Sequence, residues 1–152
     1  MIPNNHPYRI YDSKLGWNIG NNGKNPPLYY SSPQGFRTTK GLYNTNREVV
    51  TSADIITIGN SFTHGDEVLF EQSWPYYLSV LSNRSVINLG VGGYGIDQAI
   101  LSYLYTDIDC DTVILGLISG DFERATNIVY GGLYLGGTKT KPMFVFTSNG
   151  KD

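Results

Sequence analysis

Three short apolar runs, each ended by a loop of small residues, are the feature that most constrains the fold of this chain. The runs cover residues 54–58, 85–89 and 112–118, and helical patterns lie between them. Alternation of strand and helix predicts a parallel sheet with helical crossovers. Because right-handed crossovers bring the carboxyl ends of parallel strands to one edge, we expect the three loops to meet there.

We predict an α/β, flavodoxin-like three-layer parallel sheet whose strands, counted along the runs, begin in the order 2-1-3. Residues 51–152 form this domain in the prediction. The third run is apolar throughout and is expected to be buried on both faces. Residues 1–50 are rich in Asn, Gly and Pro, which predicts an irregular N-terminal arm with one short hairpin, packed on the domain.

Two helices are expected between the strands. The first begins at Ser73, a good N-cap with Pro75 in the first turn, and runs to about Ser82. The second covers about 96–105. Apolar spacings of three and four predict their inward-facing residues, which are Tyr77, Leu78 and Leu81 in the first helix and Ile100, Leu101 and Leu104 in the second.

Composition and charge exclude several classes of function. The formal net charge is -2 and no long basic run appears, which argues against a dedicated nucleic-acid binder. No apolar stretch is long enough to cross a bilayer, and the first residues lack the apolar segment of a signal peptide. Cys110 is the single cysteine, so no internal disulfide is possible. Neither the cysteine count nor the N-terminal residues assign a cellular compartment.

Ser61 and the glycines of 90–95 are the candidate chemical groups at the predicted sheet edge. Ser61 directly follows the first strand through Gly59 and Asn60, where it is either a nucleophile or a helix cap. The glycines let backbone N–H groups approach a ligand closely. They are also compatible with a plain strand–helix turn and, ranked third, with a dinucleotide-binding loop.

Gly59-Asn60-Ser61 resembles the Gly-Asp-Ser block of the SGNH/GDSL serine hydrolases, with Asn in place of Asp. Gly92-Gly93 is similar to the second block of that family, and 119–122 to the third. The resemblance implies that Ser61 is the nucleophile, that Gly93 donates to the oxyanion, and that Asp121 occupies the place of an oxyanion-binding Asn. It also implies hydrolysis of small acyl esters, acylated carbohydrates among them, without a metal or an organic cofactor.

Asp121 departs from the family pattern, because an ionised carboxylate accepts hydrogen bonds and cannot donate them. The alternatives are a neutral Asp121, an Asp121 paired with Arg124, a site with another task, or a residue that only caps the turn.

The family's Asp-x-x-His pair has no counterpart in this sequence, whose only histidines are His6 and His64. We expect His64 in a loop or at the rim of the site, and we do not expect it to act as the base for Ser61. Lys141–Thr147 is predicted to be a strand followed by an Asn149-Gly150 turn. This end resembles the middle of longer family members, so we expect an N-terminal portion of a hydrolase, with an open sheet edge that allows self-association.

Two short motifs, Leu15-Gly16-Trp17 and Gly35-Phe36-Arg37-Thr38, resemble a lead-in found before the serine block in some bacterial members of the family. We interpret Trp17 and Phe36 as anchors of the arm and Arg37 as solvated.

Two further functions remain open. A non-catalytic module that kept the pocket and lost the base would fit the missing histidine. A nucleotide or phosphoryl binder using 90–95 would fit the glycines, but no Walker lysine supports it.

Overall fold

The structure is a computed structural model that describes residues 7–42, 49–131 and 138–144. Its helices are α1 (Ser61–His64), α2 (Trp74–Ser82), α3 (Ile96–Leu104) and α4 (Gly120–Ala125). Its strands are β1 (Arg9–Asp12), β2 (Gly16–Ile19), β3 (Lys24–Asn25), β4 (Tyr29–Ser31), β5 (Arg37–Thr38), β6 (Ser52–Gly59), β7 (Val86–Asn88), β8 (Asp109–Gly116), β9 (Val129–Gly131) and β10 (Thr138–Thr140).

A three-stranded parallel sheet in the order β7-β6-β8 positions the candidate site. The α/β class and the parallel sheet are therefore confirmed. The order 2-1-3 counted only these three strands, which carry the labels β7, β6 and β8 once the strands of the arm are numbered. In the register Gly59, the last residue of β6, lies opposite Gly116, the last residue of β8. The loops that follow β6 and β8 thus leave the sheet side by side.

The core of this sheet is formed by β6 together with α3. β6 is β-branched and apolar, and every residue from Ile55 to Gly59 is buried. The buried members of the cluster come from β6, α3 and the segment before β8, and they are Ala53, Ile56, Ile58, Ala99 and Ile108. Burial of this apolar area is the main free-energy gain that holds the strand central.

The N-terminal arm is more regular than predicted. β1 and β2 form an antiparallel hairpin, and β3, β4 and β5 form a second antiparallel sheet. These strands are two to four residues long, too short for alternation of apolar and polar residues to reveal them. The arm and the loop after β7 together form a second apolar cluster, whose members are Tyr8, Leu15, Trp17, Ile19, Val91 and Tyr94.

Several predicted inward-facing residues are exposed. On α2, Tyr77 is 53% and Leu81 is 83% exposed, and on α3 Leu104 is 63% exposed. β8 is not buried on both faces, because within the described residues it is an edge strand of its sheet. Apolar spacing identified a possible stripe on each helix, but the described chain does not cover α2 on that side.

The segment after β10 differs from the predicted strand. β10 pairs with β9 in an antiparallel hairpin, and 141–144 continue without regular structure. Lys141 points inward, where its buried ammonium forms an ion pair with the buried carboxylate of Asp97 at the start of α3. The rest of the predicted strand and the Asn149-Gly150 turn lie outside the described residues. No helix within the described ranges is both long and apolar enough to span a membrane.

Candidate functional site

Ser61 lies where β6 ends, as the first residue of the short helix α1. Asn60 caps this helix, since its side-chain oxygen accepts the N–H of Phe62 at 2.8 Å. Thr63, the third residue of α1, lies against Gly59 and Gly116. A Cβ on either glycine would overlap the Thr63 hydroxyl. The two glycines at the strand ends therefore allow α1 to sit directly on the sheet edge.

Asp121 joins the loop after β8 to the serine loop. Its buried carboxylate accepts hydrogen bonds from Asn60 Nδ2 at 2.6 Å, from the Ile118 N–H at 2.9 Å and from Arg124 Nη1 at 2.9 Å. Of the alternatives for this residue, pairing with Arg124 is what the geometry shows. All three contacts come from donors, so Asp121 acts as an acceptor that fixes Asn60 beside the candidate nucleophile.

The glycine loop after β7 lies against α1. A Cβ on Gly90 would overlap the backbone of Thr63 and His64. Asn88 joins the two segments, because its side chain donates to the Thr63 carbonyl and accepts the Gly90 N–H, each at 2.8 Å. Gly93 has φ +87°, a conformation that glycine adopts without a steric penalty.

The backbone amides of Ser61 and Gly93 are the donors expected for an oxyanion. Within residues 7–42, 49–131 and 138–144, neither N–H group donates to a backbone or side-chain acceptor. An unpaired N–H group that faces solvent or a ligand remains available to a developing negative charge.

Trp17 holds the glycine loop from the arm. Its indole N–H donates to the Gly92 carbonyl at 3.1 Å, and the Tyr94 hydroxyl donates back to the Trp17 carbonyl at 2.7 Å. Gln98 donates to the Leu15 carbonyl at 2.7 Å. The expectation that Trp17 anchors the arm is confirmed, and its anchoring point is the loop that carries Gly93.

Arg37 is not solvated as predicted but almost completely buried, with 2% of its surface exposed. Its guanidinium donates to the backbone carbonyls of His64, Leu28 and Val68 at 3.3, 2.7 and 2.9 Å. It also lies 4.8 Å from the ring centroid of Tyr29. Five donors in a planar fork let one arginine hold several carbonyls at once, and here they join the arm to the segment that follows α1.

His64 is also buried, with 1% of its surface exposed, instead of lying in a loop or at the rim of the site. Its Nε2 atom lies 2.6 Å from the Tyr8 hydroxyl, and its Nδ1 atom lies 2.5 Å from Asp66 Oδ1. Because both ring nitrogens are engaged, His64 has no free nitrogen with which to take the proton of Ser61.

Charge and burial set the ionisation of these groups. Burial lowers the pKa of His64 and outweighs the opposing effect of Asp66. Burial alone would raise the pKa of Asp66, but contacts with His64 and the charges of Arg9 and Arg37 hold it below its usual range. Burial raises the pKa of the Tyr8 hydroxyl. The group is therefore best described as a carboxylate, a neutral imidazole and a neutral phenol.

A cleft of about 440 Å³ opens beside Ser61. It lies between α1 and the start of α2, and the side chains that line it include Ser61, Phe62, Asp66, Glu67, Gln72 and Trp74. The candidate nucleophile thus faces a space of the size that small ligands occupy.

Sequence reasoning predicted Ser61, Gly93 and Asp121 at one sheet edge, and of these three Ser61 lines the cleft while Gly93 and Asp121 do not. It missed Tyr8, Arg37 and Asp66. Tyr8 and His64 are 56 residues apart, and no local pattern marks such a contact. Within the described ranges, no three His, Cys, Asp or Glu side chains are placed to hold a metal ion. No protein-family model matches the chain, and no curated protein matches it either.

Proposed function

We propose that the chain is an SGNH-type serine hydrolase, or part of one, that cleaves small acyl esters through an acyl-enzyme on Ser61. The observation that supports this most is the position of Ser61, at the end of a buried central strand and at the wall of a cleft. Open α/β sheets place ligands at this edge. Acylated carbohydrates are among the small acyl esters that this proposal covers.

In the proposed reaction, Ser61 Oγ attacks the ester carbonyl carbon and the carbonyl oxygen becomes an oxyanion. The N–H groups of Ser61 and Gly93 stabilise that charge, the alcohol leaves, and water then releases the acid from the serine. The reaction requires a base that takes the serine proton and returns it to the departing alcohol. His64 does not fill this role, since both nitrogens of its ring are engaged. Asp121 fixes Asn60 and leaves oxyanion donation to the two amides.

We also propose a flavodoxin-like, three-layer fold for this domain. In such a fold, further strands would continue the order β7-β6-β8 beside β8. The proposal is supported by the exposed edge of β8, where Val113 is 36% exposed. The same edge would allow self-association by strand pairing.

A fluorophosphonate probe, followed by mass spectrometry of the peptides, tests the assignment of Ser61. We expect an adduct on Ser61 that disappears in Ser61→Ala. Ser73→Ala is the matched control, because Ser73 lines the same cleft while its hydroxyl is committed to the Phe70 carbonyl at 2.7 Å. Its labelling should equal that of the unaltered protein, and an unlabelled Ser61 in a folded protein would contradict the proposal.

A non-catalytic binding module is the second candidate. It is favoured by one observation, the engagement of both nitrogens of the only described histidine. Under this function the cleft keeps its ligand but Ser61 stays unreactive, so ligand binding without labelling of Ser61 would select it.

A further inference from the structure

The cleft beside Ser61 combines aromatic rings with carboxylates. The residues Phe62 and Trp74 are 68% and 36% exposed, and the acids are Asp66 and Glu67. Among the described residues that line the cleft, none is Lys, Arg or His. Such a lining favours a positive charge, because aromatic faces and carboxylates both attract cations.

The carboxylate of Asp66 is held in place from the arm. His64 contacts it at 2.5 Å, and the imidazole is fixed in turn by the Tyr8 hydroxyl. Tyr29 stacks on Tyr8 with ring centroids 5.4 Å apart. A side chain whose position is set by buried partners loses little conformational entropy when a ligand binds.

The backbone of the acidic segment is anchored as well. The Glu67 N–H donates to the Tyr29 hydroxyl at 2.9 Å, and Arg37 Nη2 donates to the Val68 carbonyl at 2.9 Å. Glu67 adopts φ +68°, a left-handed conformation that costs free energy in a residue with a side chain. These contacts keep the segment that carries both acids in one arrangement.

One cation of the protein already approaches Asp66. Arg9 Nη2 lies 3.8 Å from Asp66 Oδ2, and the arginine side chain is 46% exposed. A pair so long and so exposed contributes little to stability. A ligand cation could therefore replace it at a small cost.

We propose that the cleft binds the ammonium group of an ester substrate, with Asp66 as its fixed counter-charge and Trp74 as an aromatic wall. The inference rests on the proposed function only for the reaction at Ser61. The ammonium group would place the ester within the same cleft as the serine, so it defines the substrate class as cationic acyl esters.

Binding of choline to the full chain, followed by the indole N–H signals in ¹H–¹⁵N NMR spectra, tests this proposal without requiring hydrolysis. The chain has two tryptophans. The Trp74 signal should shift with choline concentration, while that of Trp17, buried and bonded to Gly92, should stay fixed as an internal control. Succinate and methyl glucoside are the anionic and neutral comparisons, and neither should move Trp74 at the same concentration.

Two variants sharpen the test. Asp66→Asn should weaken choline binding about tenfold, whereas Arg9→Gln should strengthen it because the competing cation is removed. Glu71→Gln is the matched control, since Glu71 lies close in sequence but does not line the cleft. The Trp17 signal reports whether each variant remains folded.

Three outcomes would overturn the proposal. These are no shift of Trp74 with millimolar choline, an equal shift with succinate or methyl glucoside, and tighter binding in Asp66→Asn or weaker binding in Arg9→Gln. If choline binds while Ser61 stays unlabelled by a fluorophosphonate, the cation site stands and the hydrolase function falls.

Discussion

The side-chain amide of Asn60 forms two hydrogen bonds. Its oxygen accepts the Phe62 N–H, and its nitrogen donates to Asp121 at 2.6 Å. The hydrogen bond between Asn60 and Asp121 therefore joins the loop after β6 to the loop after β8.

This geometry predicts that the two positions are coupled. Asn60→Asp alone should lower the free energy of unfolding by about 2–4 kcal/mol, because it places two buried carboxylates in contact. Adding Asp121→Asn should recover more than half of that loss. A double-mutant cycle measured by urea unfolding gives the coupling, and purely additive effects would show that the pair is not a unit.

At the scale of elements, α1 depends on glycine at two strand ends. A Cβ on Gly59 would lie 2.6 Å from the Gly116 carbonyl oxygen and would also overlap Thr63, and the φ of Gly59 is +151°. The helix that presents Ser61 therefore requires the absence of a side chain at the end of β6.

We expect Gly59→Ala to lower the free energy of unfolding by about 3 kcal/mol, from backbone strain and overpacking together. Gly120→Ala is the matched control at the start of α4, where a Cβ meets nothing within 4 Å. It should leave stability unchanged or raise it by up to about 1 kcal/mol. Thermal and urea unfolding measure both, and equal stability of the two variants would refute the steric explanation.

Elements with strong local signals could be predicted from sequence, and those fixed by distant partners could not. β6 and α2 were found because an apolar run and an N-terminal proline mark them locally. The edge position of β8 was missed, since an apolar strand reads the same whether or not a neighbour covers it. Within the site, Ser61 and Asp121 follow from strand ends, but buried Arg37 and His64 depend on carbonyls and side chains far away in sequence.

At the scale of the whole molecule, the arm and the sheet are joined through ionisable groups. The contact between Tyr8 and neutral His64 connects the segment before β1 to α1, and Asp66, Arg9, Arg37 and Tyr29 surround the imidazole. Protonation of His64 would place a third positive charge beside the two arginines in a buried position. The stability of the entire fold is therefore linked to pH through this residue.

We predict that the free energy of unfolding falls as the pH drops below about 6.5, the ordinary histidine pKa. The pKa of His64 is lower in the folded protein, so the unfolded chain binds more protons in this window and stability rises with pH. The slope is at most about 1.4 kcal/mol for each pH unit.

Urea unfolding at several pH values in a His6→Gln background, where His64 is the only histidine, measures this slope. The further change His64→Gln should flatten it between pH 5.5 and 7.5. An unchanged slope would assign the effect to other groups.

The bonds between arm and sheet also bear on the order in which the molecule folds. Gln98 and Leu15 are separated by 83 residues, and Tyr8 and His64 by 56. Closing such long chain segments lowers the entropy of the chain, and this cost is offset only when the contacts at the sheet edge form. The pairing of Ser52 with Asp109 in the sheet is just as non-local, so the serine loop and the glycine loop reach their final geometry only when segments distant in sequence have met.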